Sequence, residues 1–224
     1  FVMAALKKVR GLTARKHKDL RHACDEALAR LKDSKARGSK VGPGNADVDA
    51  DKYFLPFRLS CESRHAKIMG AALDCLQKLV AHGFLRGLGA SVREPNVADR
   101  TLMDDIVTTI CDCRDQPDDN VQLQVIKALL QCVGGSTCEV HGRSLLMAVR
   151  ACYHIHLASK NVINRTTAKT VLTQMLNIVF QRMEQQEQRI KATAVADEWV
   201  ADTGDGELGD GGMEAGGGGG GGGE

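Results

Sequence analysis

The run RHAKIMGAALDCLQKLVAHGFL, residues 64–85, decides the fold class. Ile68, Ala71, Ala72, Cys75, Leu76, Leu79 and Val80 recur three and four positions apart, which gathers them into one apolar stripe of an α-helix. Gly83, Gly87 and Gly89 stop that helix. Fifty residues on, LQKLV at 76–80 is echoed by IKALL at 126–130, so the chain carries a weak repeat.

Outward from this run the same spacing returns. Phe1, Val2, Ala5, Leu6 and Val9 make a first helix that the sequence enters already formed, which leads to the expectation of further chain upstream. A second helix spans about residues 17–35, with Leu20, Ala23, Cys24, Ala27, Leu28 and Leu31 as its stripe. It ends at a linker, about residues 36–50, rich in Gly and Asp. Asp51 is positioned to cap the next helix, and Pro56 falls near that helix's first turn, where proline is best tolerated. Further helices are expected over 99–113, 121–133, 144–159 and 166–188, the third-last capped from the acidic loop DQPDDN. In NRT at 164–166, Thr166 or Asn164 reads as a cap; as a glycosylation sequon it would need the secretory route. Hairpins of roughly 40 to 50 residues that each bury a face against the next make an armadillo or HEAT-like α-solenoid, about eight helices here. A closed helical bundle is the competing architecture. The domain boundary falls at about residue 190, and 191–224, acidic and glycine-rich with an unbroken run Gly216 to Gly223, reads as a disordered tail.

Composition narrows the function. Aromatics are 4% of residues, which disfavours sheet. The net charge of +2 from 30 basic and 28 acidic residues gives the chain as a whole no strong pull on nucleic acid or an anionic membrane, so any charged contact must be local. No apolar stretch approaches the roughly 20 residues that span a bilayer, and no direct membrane insertion is expected. The segment Phe1–Arg10 does not read as a secretory signal, and most of the eight cysteines sit among apolar neighbours, as reduced cytoplasmic thiols do.

Most candidate chemistry fails on geometry. Cys111/Cys113 and His154/His156 offer zinc-ligand types, but residues two apart on a helix point about 200° from each other. Every Cys and His has a plain helical position, the glycine tail lacks a phosphate-loop pattern, and neither an enzyme nor a bound cofactor is expected. Two lysines stand out instead: Lys78 and Lys127 sit inside otherwise apolar helical segments. Either each only snorkels to solvent, or, at equivalent positions of successive hairpins, the two form a basic spot flanked by exposed Leu79, His82 and Leu130, suited to a partner with acidic groups around an apolar anchor.

Four stretches carry more: DADKYFLPFRLSCES at 49–63, LDCLQKLVAHGFL at 73–85, VQLQVIKALL at 121–130, and RACYHIHLASKNVINRTTAKTVLTQMLN at 150–177. In this order they resemble the N-terminal DCB domain of the brefeldin-A-inhibited, large Arf guanine-nucleotide exchange factors, over about residues 1–190. The resemblance implies a non-catalytic armadillo-like regulatory domain that lies ahead of a HUS domain and the exchange domain. Its implied roles are self-association, contact with HUS, a cyclophilin contact, and binding of a GTP-loaded Arf-like GTPase that recruits the cytoplasmic parent to the trans-Golgi. Lys78, Leu79, His82, Lys127 and Leu130 fall within the matching motifs and are the expected GTPase contacts; the alternative is a homodimerisation scaffold with no GTPase contact. His82, His154 and His156 stand where the family pattern has Tyr, Asn and Tyr, which would alter partner affinity or choice.

Overall fold

A computed structural model describes residues 1–36, 50–97, 99–135 and 140–202. Among them it has eight α-helices: α1 (Val2–Leu12), α2 (Lys18–Ala36), α3 (Phe54–Glu62), α4 (Ala66–Ala81), α5 (Leu102–Cys111), α6 (Asp119–Gly134), α7 (Gly142–Ala158) and α8 (Val162–Asp202). Among the described residues, extended pairing is confined to one isolated bridge between Ala90 and Thr101. The chain divides into two units, Phe1–Phe180 and Gln181–Glu224. The second is described only as the later part of α8, where Lys191 pairs with Glu187 one turn earlier. The linker expected at 36–50 lies almost wholly outside the described residues, and so does the tail beyond 202; helix α8 itself runs past the expected boundary at 190.

The first unit is built of successive hairpins in two layers, the all-helical solenoid-like arrangement the repeat suggested. One layer is α1, α4, α6 and the start of α8; the other is α2, α3, α5 and α7. Helix α1 lies antiparallel on α4: Phe1 meets His82, the Cys75 thiol reaches the Ala5 carbonyl, and Lys8 meets Asp74. Helices α4 and α6 pack most closely of all pairs and start side by side, because Gly70 has no side chain to hold off Asn120 and Val121. Near the same end, Gln116 Nε2 donates to the Arg64 carbonyl at 3.2 Å. Helix α8 continues the parallel series, with Asn164 Nδ2 donating to the Asp119 carbonyl at 2.8 Å and Ile178 packed at Gly134. The stripes read from the sequence form one core that includes Leu6, Phe57, Ile68, Leu76, Leu79, Ile106, Ile126, Leu129 and Ile155.

Three caps differ from or refine expectation. Asp118 caps α6, accepting from the Val121 amide, as the acidic loop implied. Asn161, not Asn164 or Thr166, opens α8: its Oδ1 accepts from the Ile163 and Asn164 amides, while Asn164 is buried inside the helix. Asp51 does not cap α3. Its carboxylate instead accepts from the successive amides of Arg86, Gly87 and Leu88 at 2.8, 2.9 and 3.1 Å, since three consecutive N–H groups make a better anion nest than a helix end already closed by the 3-10 turn Ala50–Tyr53. Gly87 sits there at φ +67, and a Cβ would meet the Met103 backbone at 2.7 Å. Gly87→Ala is therefore expected to cost about 2–4 kcal/mol, through left-handed strain and a clash with backbone that cannot swing away. Denaturant unfolding should show a lower midpoint.

Candidate partner-binding site

The outward face of α4 begins with Lys67 and continues through Asp74, Lys78 and His82, each about one helical turn from the next over the last three. Lys78 and His82 are exposed. On α6, Lys127 is exposed and Leu130 is half-buried against the core. Gly70 and Val121 lie side by side, so Lys78 comes eight residues and Lys127 six residues beyond that contact; at 1.5 Å per residue the two lie within about 3 Å of the same level. Leu79 corrects the expectation of an exposed apolar flank. It is 0% exposed, because it belongs to the inward stripe with Ala72, Cys75 and Leu76 and turns about 100° away from Lys78.

Two neighbours from α1 join this face, and no sequence signal linked them to α4. Asp74 accepts from Lys8 Nζ at 2.7 Å on one oxygen and meets Lys78 Nζ at 2.8 Å on the other, so one carboxylate holds two ammonium groups and leaves a net positive spot. Burial opposes ionisation of Asp74, but the hydrogen bonds from Lys78 and Lys8 outweigh it and hold its pKa below the ordinary value. The same bond raises the pKa of Lys8. At the end of α4, the Phe1 ring lies edge-on to His82 at 5.2 Å and stacked with Phe84 at 5.9 Å. Phe1 is half exposed, so an apolar surface adjoins the cations.

The acid response of this contact follows from its sign. Asp74 has a lowered folded pKa, so its contribution is complete above the unfolded carboxylate value near 4 and is lost as pH falls through the lower folded value. Asp74→Asn is expected to flatten the fall in stability below about pH 4, by no more than about 1 kcal/mol because Lys8 is half exposed. Thermal melts across pH 3 to 7 would check it.

The other candidates are accounted for within the fold. Cys24, Cys61, Cys75, Cys111, Cys113, Cys132 and Cys152 are buried free thiols. Burial pushes Cys111 and Cys152 up to about 12, so both stay protonated at neutral pH rather than supplying a thiolate. His154 meets Asp115 at 3.1 Å while His156 meets the Arg165 carbonyl at 2.9 Å, two different directions as their spacing required. Among the described residues no group of three or more His, Cys, Asp or Glu is arranged to hold a metal, and no helix is long and apolar enough to cross a membrane. A polar cleft of about 460 Å³ beside α3 and α5 is crossed by Arg93, which donates to Thr109 at 3.1 Å and meets Glu62 and Asp112.

Comparison with known proteins points to one family. The family model described as the Mon2/Sec7/BIG1-like dimerisation and cyclophilin-binding domain matches residues 1–187. Brefeldin A-inhibited guanine nucleotide-exchange protein 1 of Homo sapiens is 44% identical over 205 residues, covering 83% of this chain and 11% of the relative. The corresponding protein 2 of Arabidopsis thaliana is 37% identical over 206 residues, covering 82% and 11%. The chain thus spans about a tenth of the length of the curated relatives it matches.

Proposed function

The chain belongs to the DCB family of brefeldin A-inhibited guanine nucleotide-exchange proteins, and from that premise we propose that it is a non-catalytic recruiting domain whose α4–α6 face binds a GTP-loaded Arf-like GTPase. The observation that carries this reading is the pairing of parallel helices α4 and α6 with Lys78 and Lys127 exposed at nearly one level. Around them stand His82 and the half-buried Leu130, joined by Lys8 and Phe1 from α1. Such a surface suits a partner that presents carboxylates about an apolar anchor. A GTPase offers a different surface in its two nucleotide states, so binding only the GTP form converts nucleotide state into location, here recruitment of a cytoplasmic parent to the trans-Golgi for vesicle transport. Exchange chemistry belongs to another segment of that parent, whose HUS domain this domain also contacts.

The test is binding of the chain to an Arf-like GTPase loaded with GDP or a non-hydrolysable GTP analogue, for wild type, Lys78→Asp and Lys127→Asp. Binding confined to the GTP form and lost in both folded variants supports the reading; equal binding by all three proteins sinks it. The family description favours a second reading, a homodimerising scaffold that also contacts a cyclophilin. Light scattering separates the two: a stable dimer indifferent to GTPase favours the scaffold.

A further inference from the structure

The near-neutral total charge conceals an uneven distribution. Between Glu139 and Glu184 there is no acidic residue, whereas Arg143, Arg150, Lys160, Arg165, Lys169 and Arg182 are basic. This span holds six positive charges in a chain whose net is only +2, so the remainder is acidic on balance. Elsewhere many cations are matched: Lys8 with Asp74, Arg10 with Asp25, Arg100 with Glu94. Arg143, Arg150, Lys160, Arg165 and Lys169, by contrast, are exposed and meet no carboxylate among the described residues.

Large apolar side chains are exposed among these cations. At the α7–α8 turn Leu157, Val162 and Ile163 are 63%, 63% and 69% exposed, with Lys160 and Arg165 between and beside them. Tyr153 lies one turn back along α7, and Arg150 beside it. The turn is held rigidly from behind: Ser159 Oγ donates to Gln122 Oε1 at 2.7 Å and Asn161 Nδ2 to Asp119 Oδ2 at 2.9 Å. The apolar tip therefore projects from a fixed base and does not fold back onto the core.

We propose that the α7–α8 turn, with Leu157, Lys160, Val162, Ile163 and Arg165 at its tip, docks peripherally on an anionic lipid surface, as a contact separate from the α4–α6 face. Charge complementarity selects the anionic partner. The protruding aliphatics select a fluid one, since a bilayer interface accepts a projection without a matching groove. Among the described residues no helix is long and apolar enough to cross the membrane; the tip reaches headgroup depth while its cations stay at the phosphates.

Co-sedimentation of the 224-residue chain with vesicles tests this. Phosphatidylcholine vesicles containing phosphatidylserine should retain the chain, pure phosphatidylcholine should not, and added salt should weaken the association. Lys160→Glu with Arg165→Glu should weaken partition about thirtyfold or more, at roughly 1 kcal/mol per cation. Leu157→Ser with Ile163→Ser should weaken it without a change of charge, and Lys78→Asp should sediment like wild type. All these positions are exposed, so circular dichroism should report unaltered folding. Absence of phosphatidylserine-dependent sedimentation, or tip variants that sediment like wild type, overturns the proposal. So does loss of self-association in the tip variants with vesicle binding retained, which would give the tip to a second copy.

Discussion

Asp105→Ala is expected to lower the unfolding free energy by about 3 kcal/mol or more, the largest loss of any single polar substitution in the first unit. Asp105 is 4% exposed on α5, and it organises the preceding loop. One carboxylate oxygen accepts from Ser91 Oγ at 2.8 Å; the other accepts from the amides of Val92 and Arg93 at 2.6 and 3.1 Å. Truncation leaves three donors without their acceptor, two of them backbone groups in a part-buried loop, and each stranded buried donor costs about 1–3 kcal/mol. The loop would also lose its hold on Arg93, which ties it to Thr109 and Asp112 of the α5 end. Asp105→Asn keeps the shape but replaces one acceptor oxygen with a donor, so it should fall between wild type and Ala. Urea unfolding of the three proteins checks the order; equal midpoints would show that the loop carries none of the stability assigned to it.

Asp105 also shows where sequence reading stops. The helices were legible because burial of one face imposes a period of 3.6 residues on neighbours in the chain, and the stripes at 68–80 and 121–133 are the buried faces of α4 and α6. Asp51 and Asp105 impose no period. Each serves donors distant in the chain, amides 35 to 37 residues away for Asp51 and, for Asp105, two amides and a hydroxyl 12 to 14 residues away, and a lone Asp near a helix start reads as a cap. The same holds for the candidate site. Lys78 and Lys127 stood out because a cation interrupts an apolar stripe, whereas Lys8 and Phe1 reach that face only through the antiparallel packing of α1 on α4. Near-neutral total charge likewise hid the acid-free α7–α8 span, because summing over the chain discards position.

Adjacent positions 78 and 79 should separate fold from recognition. Leu79 is fully buried between the layers, and Leu79→Ala removes several methylene-scale groups from a packed core, an expected loss of about 2–5 kcal/mol. Lys78 is exposed; Lys78→Ala gives up an ion pair with Asp74 that Lys8 continues to satisfy, so stability should change by less than about 1 kcal/mol. Binding is expected to divide the opposite way. Below its melting temperature Leu79→Ala should keep near-native affinity for the GTP-loaded GTPase, since the side chain offers the partner no surface. Lys78→Ala should lose about tenfold or more, because the cation at the centre of the face is gone while Asp74 remains to repel partner carboxylates. Paired melting curves and titrations on the two variants read both axes at once. If Leu79→Ala loses binding while fully folded, α4 moves on contact with its partner; if Lys78→Ala binds like wild type, the recruiting surface does not lie on the α4–α6 face.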